Sequence, residues 1–491
     1  MRSTFPVMLV FGLAVLCFVP LYAQAFGEGT ATELKVYSPE SQGVIPLSDP
    51  VVVDYDYVSE NPQESISTCI TSDETVAYSA HRIGGLRLYD INLNNIPWAK
   101  DYDGSNWVLM FDDSGNPTPY TNMVYGVKTK ANFFGPGWGA GGYAYGITPA
   151  MIPSLSVALS NGQVPLIQLF ENDGTPILPV RCAVPEDFAA IDDHIRLADW
   201  DFLSNGNLVA MGESRQAAEN AARFGVPADQ AGNVNFLSIL KPDEQFPTVL
   251  FTRLSETATK SESWHGIGVT QNGFAVRFSE PNNGGSKLRF FENNGTPLTG
   301  DIDLASLGTG ETVGVLGGQG SIRGDEQGWH GNGVDRYILV SRDYIGVMTG
   351  SAPFVGIFDV NGNLIVGPVH VTGGPDGWST VTCERIDGAI HPDGRFIVCW
   401  TENSFLGFEG GILMGRIFNA DGTPATKMFS MDSAFDVNAM IQDGHNRRSR
   451  IVWRGNKIAV AWVSTNRAST QQCTVRTFTF GEEAVSDFML Y

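Results

Sequence analysis

Two Trp-His-Gly triplets, Trp264-His265-Gly266 and Trp329-His330-Gly331, stand about one repeat apart, just ahead of runs that read as strands. His194 and His445 hold similar places before strand-like runs, and Trp378 and Trp138 lie in related Gly-Trp loops. An imidazole can ligate a metal, carry a proton near neutrality or bond a hydroxyl, and an indole face stacks on a sugar ring. If the fold gathers equivalent loops at one place, these residues make a ligand-binding rim for a glycan. With a nearby Asp or Glu, His265 or His330 would serve as acid and base. The competing reading is that repeated Trp and Gly simply pack and shape the loops between repeats.

Two further groups admit both a ligand-binding and a structural reading. Asp101-Tyr102-Asp103-Gly104-Ser105-Asn106 alternates oxygen-bearing side chains, so Asp101, Asp103 and Ser105 are metal candidates, with calcium the ion the pattern admits. The distal bidentate Glu of a full calcium loop is missing, and a solvated turn explains the same residues. Arg447-Arg448-Ser449-Arg450, with Arg454 and Lys457, is a basic cluster that could attract carboxylates such as uronic acids or simply balance local acid. No G-x-S-x-G, H-E-x-x-H, phosphate-loop or dinucleotide motif occurs, and the S-x-D-x-G-x-x-W boxes of sialidases are missing. No catalytic residue is assigned and no cofactor is required.

The chain has 491 residues, 17% of them charged, 56 Gly, 26 Pro and a formal charge of −22. Such acidity argues against binding a phosphate backbone, and against anionic membrane surfaces. Residues 1–25 read as a secretory signal: Arg2, an apolar run from Val7 to Tyr22, then Ala23-Gln24-Ala25 as the cleavage pattern. The expected product is secreted, periplasmic or on the cell surface, with no membrane span and no nucleic-acid partner. In an oxidising compartment disulfides come first for its cysteines. Cys383 and Cys399 flank the turn His391-Pro392-Asp393-Gly394, and Cys69 and Cys473 would meet if the chain closes a ring.

A repeat then organises the whole sequence. Phe111…Gly115, Phe170…Gly174, Phe291…Gly295, Phe358…Gly362 and Phe418…Gly422 share F-x-x-x-G, spaced by about 60 residues or twice that. Pro117, Pro176, Pro297 and Pro424 follow two residues after the Gly, with Leu364 in the fifth. In the same phase, Asn205-Gly206, Asn272-Gly273, Asp335-Arg336, Asp393-Gly394 and Gly455-Asn456 open alternating apolar runs. Asn-Gly and Asp-Gly favour tight hairpin turns, and Pro belongs on an edge strand. Only Arg215 to Phe224 reads as a helical turn or two. A unit of about 60 residues with four strands is a propeller blade. The sequence therefore predicts an all-β fold: a single β-propeller over residues 66–491, with seven blades of four antiparallel strands and six or eight as alternatives. Residues 26–65 form an N-terminal extension that adds a strand to the closing blade.

These motifs resemble the F-x-x-x-G-x-P and D-G-x-F-x-V-x-W repeats of large secreted or surface-exposed bacterial propeller-like proteins, most closely over residues 391–430. The resemblance implies a fold and an extracellular setting and carries no catalytic residues. The expected function is an exported, non-catalytic binding module for protein or glycan. The alternatives are a carbohydrate-active lyase or hydrolase using a His/Trp rim, and a structural component of a surface layer or filament.

Overall fold

The computed structural model describes residues 37–57, 66–70, 74, 76–80, 85–94, 155–160, 165–170, 181–182, 184–185, 195–214, 234–241, 247–254, 266–279, 286–308, 316, 328–344, 351–373, 383–403, 411–432, 446–465 and 471–481. Apart from two short 3-10 turns, the regular elements among them are β-strands. No helix among them is long and apolar enough to cross a membrane. The signal segment, the strand expected at Trp107–Phe111 and the helical turn at 215–224 lie outside the described residues.

Among the described residues, two N-terminal strands, β1 (Val44–Pro46) and β2 (Val51–Tyr57), precede seven antiparallel sheets. The first comprises β3 (Ile66–Ile70), β4 (Val76–Ala80) and β5 (Gly85–Tyr89), and the second β6 (Leu155–Ser160), β7 (Pro165–Phe170) and β8 (Arg181–Cys182). The third runs β9 (Ile195–Phe202), β10 (Leu208–Ser214), β11 (Val234–Leu240), β12 (Thr248–Arg253), and the fourth β13 (Gly266–Val269), β14 (Gly273–Ser279), β15 (Ser286–Glu292), β16 (Ile302–Asp303). The fifth holds β17 (Gly328–Gly331), β18 (Arg336–Tyr344), β19 (Ser351–Asp359) and β20 (Leu364–His370). The sixth holds β21 (Cys383–Ile390), β22 (Phe396–Asn403), β23 (Gly411–Phe418) and β24 (Phe429–Ser430). In the last, β25 (Asn446–Arg454), β26 (Lys457–Thr465) and β27 (Gln471–Phe480) are completed by β1 and β2, both paired to β27.

Each sheet is a simple meander, and the first strands pack on one another in order: β6 on β9, β13, β17, β21, β25 and finally β3. That succession, with the last sheet against the first, is a β-propeller. Apolar layers lie between neighbouring sheets, as where Ile338, Val340 and Val355 meet Ile386, Phe396 and Trp400. From the third sheet to the last, and between the last and the first, neighbouring sheets share such a layer.

The repeat motifs have a plain physical basis. The Phe of F-x-x-x-G stacks on a Phe at the start of strand two: Phe291 on Phe274 at 5.0 Å, and Phe418 on Phe396 at 4.9 Å. The Gly that follows, at φ 87° in Gly295 and 85° in Gly422, turns the chain where a side chain would be strained. Pro297 and Pro424 then form isolated bridges back to Phe291 and Phe418, ahead of the outermost strands and on the outer edge, where no ladder donor is needed. In the last sheet this place falls to Pro46 of the N-terminal segment, which pairs with Phe478.

One expectation is corrected. Cys399 is a free, buried thiol and forms no disulfide with Cys383. The tight turn pairs Ile390 with Phe396, which sets Cys399 opposite Asp387 and Cys383 opposite Glu402. An offset of about four residues at roughly 3.3 Å each exceeds the Cα separation a disulfide tolerates. The side chains of Cys69, Cys383 and Cys473 lie outside those described.

Candidate functional site

The first strand of each sheet lines the propeller axis, with one backbone edge unpaired by any ladder. Asp199 on β9, Asp387 on β21 and Arg450 on β25 occupy equivalent rungs, facing Met211, Cys399 and Ala461 of their second strands. The two carboxylates then make the same bond. Asp199 Oδ2 accepts the amide of Ile267 in the next sheet at 2.7 Å, and Asp387 Oδ2 accepts that of Ile451 at 3.1 Å. Each satisfies a backbone donor on a free strand edge, which would otherwise need water or another strand.

His330 of β17 joins this cluster. Its Nε2 lies 2.8 Å from Asp387 Oδ1, with Asp387 1% exposed and His330 20% exposed. Arg450 Nη1 stands 4.0 Å from Asp387 Oδ2, its side chain 39% exposed. Burial alone would raise the Asp387 carboxyl, but the charge and hydrogen bond of His330, the Arg450 cation and the Ile451 amide together hold it below the usual range. With Asp387 ionised, Nε2 of His330 is the donor. Asp199 goes the other way: burial pushes it up to about 6, against the pull of the Ile267 amide, His330, the Trp200 amide and Arg450. Two carboxyls on matching rungs thus shift in opposite directions, because only Asp387 has a cation close by. Behind them, burial first and the Asp387 charge next push the Cys399 thiol far up, and it contacts Ser449 Oγ at 3.3 Å. That thiol is no nucleophile.

The two Trp-His-Gly triplets do not occupy equivalent positions. Gly266 opens β13, whereas Trp329, His330 and Gly331 are part of β17 itself, so Trp329 matches Ile267 rather than Trp264. Trp329 is 2% exposed, stacks on Tyr337 at 5.4 Å and donates Nε1–H to Ala275 O at 3.0 Å. Its indole is taken up by packing between sheets. The spacing misleads because loops between sheets vary in length, and the strand register sets the true phase. Glycine matters here for another reason: a Cβ on Gly331 would lie 1.9 Å from Val269 O, so β13 and β17 pack backbone to backbone.

His194, Trp264, His265, Trp378 and His445 lie outside the described residues, as do Asp101, Asp103 and Ser105. Among the described residues no three His, Cys, Asp or Glu side chains converge as a metal set. Asp199 and Asp387 were missed as site residues by the sequence reading, and Arg450 was read only as one member of a basic cluster. The available signal was their phase: Asp199 and Asp387 stand equally far ahead of the turn glycines Gly206 and Gly394.

No protein-family model matches the chain, and no curated protein matches it. Among solved structures it is similar to the β-propeller domain of the Trilobed protease from Pyrococcus furiosus, with TM-score 0.42 and 9% identity over 88% of this chain and 99% of that one. It is also similar to virginiamycin B lyase from Staphylococcus aureus, with TM-score 0.40 and 8% identity over 87% of this chain and 98% of that one. A third likeness is to polysaccharide lyase Uly1, with TM-score 0.43 and 10% identity over 87% and 92% of the two chains. At these scores and identities nothing about ligand or chemistry passes from them to this chain.

Proposed function

We propose that this protein is an exported, non-catalytic propeller that binds a protein or glycan outside the cytoplasm through the polar mouth of its axis. The signal-like residues 1–25 and the resemblance of its repeats to secreted or surface-exposed bacterial proteins support export. The observation that carries the binding reading is the axial cluster itself. Four ionisable side chains from four different sheets meet at the axis, and Arg450 and His330 keep 39% and 20% of their surface open. A purely structural plug would bury apolar groups there instead. Binding of the full mature chain to a panel of immobilised glycans and extracellular proteins should detect a ligand that Arg450→Glu releases. A ligand held equally well by wild type and Arg450→Glu would move the binding surface away from the axis.

A second reading has its own observation. The His330–Asp387 pair, with a second carboxyl at about 6, is the kind of split acid–base set that a lyase or hydrolase uses. It requires new reducing or unsaturated ends to appear when the protein is incubated with a polysaccharide it binds. It also requires His330→Gln to abolish that release while keeping affinity.

A further inference from the structure

Several arginines among the described residues are spent on the protein. Arg416 Nη1 donates to Val371 O and Gly373 O at 2.7 and 2.9 Å, and Arg476 Nη1 to Met431 O and Asp432 O at 3.0 Å each. Arg289 is paired with Asp301. Arg450 differs from all three. It stands on an axial strand, and in its ion pair among the described residues Asp387 Oδ2 is 4.0 Å away, beyond hydrogen-bond reach. That oxygen already accepts the Ile451 amide, and the other accepts His330. The guanidinium thus makes no hydrogen bond among the described residues, although it carries five donors in a planar fork. Beside it, the partly open imidazole of His330 is anchored through Nε2 on the same carboxylate.

A planar, bidentate acceptor with one negative charge fits this arrangement. A carboxylate matches the fork of Arg. A dianion is disfavoured by Asp199 and Asp387 close by and by a chain charge of −22. We propose that Arg450 forms an anion site on the propeller axis, next to His330, that takes a single carboxylate of the ligand, such as the acid group of a uronic acid sugar. The inference rests on the axial-binding reading and names its chemistry.

Calorimetric titration of the full chain with glucuronate, its neutral methyl ester, acetate and inorganic phosphate tests it. Glucuronate should bind saturably, and its methyl ester at least about tenfold more weakly, as expected for loss of a charged hydrogen-bond pair. Arg450→Met should lose at least as much, and Arg450→Lys, which keeps the charge but not the fork, should fall between. Acetate binding would show that the carboxylate suffices without the sugar. Equal affinity for glucuronate and its ester would overturn the carboxylate assignment while leaving axial binding intact. Unchanged glucuronate affinity in Arg450→Met, tighter binding of phosphate, or no saturation by any carboxylate would overturn it as well. Thermal melts of both variants establish that they fold, and Arg450→Lys carries the test if Arg450→Met does not.

Discussion

His330 donates from Nε2 to Asp387 Oδ1 at 2.8 Å across two neighbouring axial strands, and Asp387 is closed from solvent on every other side. The same carboxylate binds the Ile451 amide, so one side chain ties together three successive sheets. Removing its charge should therefore be felt as stability. Asp387→Asn is expected to cost about 2–3 kcal/mol in chemical denaturation, because a buried charged hydrogen bond is replaced by an amide whose NH2 cannot serve both donors. A double-mutant cycle with His330→Gln should give a coupling of about 1 kcal/mol or more. Additive effects would mean that the pair is not energetically joined.

The two axial carboxyls should also leave opposite marks on stability against pH. Asp199 has a folded value of about 6 against 3.8 in its ordinary state, so its neutral form is favoured by the fold. Its contribution is complete below the unfolded value and is lost as pH rises through about 6. Asp387 is held below its ordinary value, so its contribution is present above that value and lost as pH falls through the folded one. Comparing wild type with Asp199→Asn isolates the first effect. The difference in unfolding free energy should decline by up to roughly 3 kcal/mol between pH 4 and 7. A flat difference would show that Asp199 titrates normally.

What the sequence could and could not reveal follows from what each contact needs. Phe291 and Phe418 were legible because each is fixed locally, by a stack across one hairpin and a turn glycine four residues on. Strand class, the meander and the edge prolines follow from the same short-range rules. The site was less legible because it is assembled between sheets. Ile267 and Ile451 offer only backbone to Asp199 and Asp387, and a backbone donor leaves no signature in residue type. Trp329 and His330 are adjacent in sequence yet serve different environments, one in the core and the other at the axis, because successive strand residues face opposite ways. The expected Cys383–Cys399 bridge failed for a related reason: flanking a turn is not enough, since the register decides which residues meet.

The outer rim bears on the surface-layer alternative. Val249, Leu298 and Ile365 are 52%, 48% and 44% exposed, and each follows the residue that pairs with the strand-three position of the repeat Phe. Three consecutive sheets thus show an aliphatic side chain at the same place on the outermost edge, while the next has Ala425. If copies of the chain assemble side by side, replacing all three by Ser should shift sedimentation velocity from oligomer to monomer. Because the sites are exposed, unfolding free energy should move by only about 0.5 kcal/mol per site. A monomeric wild type would dispose of the layer reading.

Arg476 and Arg416 make the same clamp in successive sheets, and this gives a test of how the ring is fastened. Each Nη1 donates to two carbonyls at the end of the preceding sheet, each guanidinium lies over its own Phe, at 4.9 Å for Phe478 and 5.5 Å for Phe418, and each Nε donates to the outermost strand segment. For Arg416 that last acceptor is Thr426 O of the same sheet, whereas for Arg476 it is Ser48 O of the N-terminal segment. Both Met variants lose the two carbonyl contacts and should be destabilised by about 2–4 kcal/mol. Only Arg476→Met also removes a bond to the N-terminal segment, which the Ser48–Thr477 bonds, the Leu47 amide and strand pairing with β27 otherwise hold. Limited proteolysis should then cut within residues 37–57 of Arg476→Met faster than in Arg416→Met at matched stability. Equal cleavage rates would show that strand pairing of β1 and β2 with β27 holds the segment without the arginine.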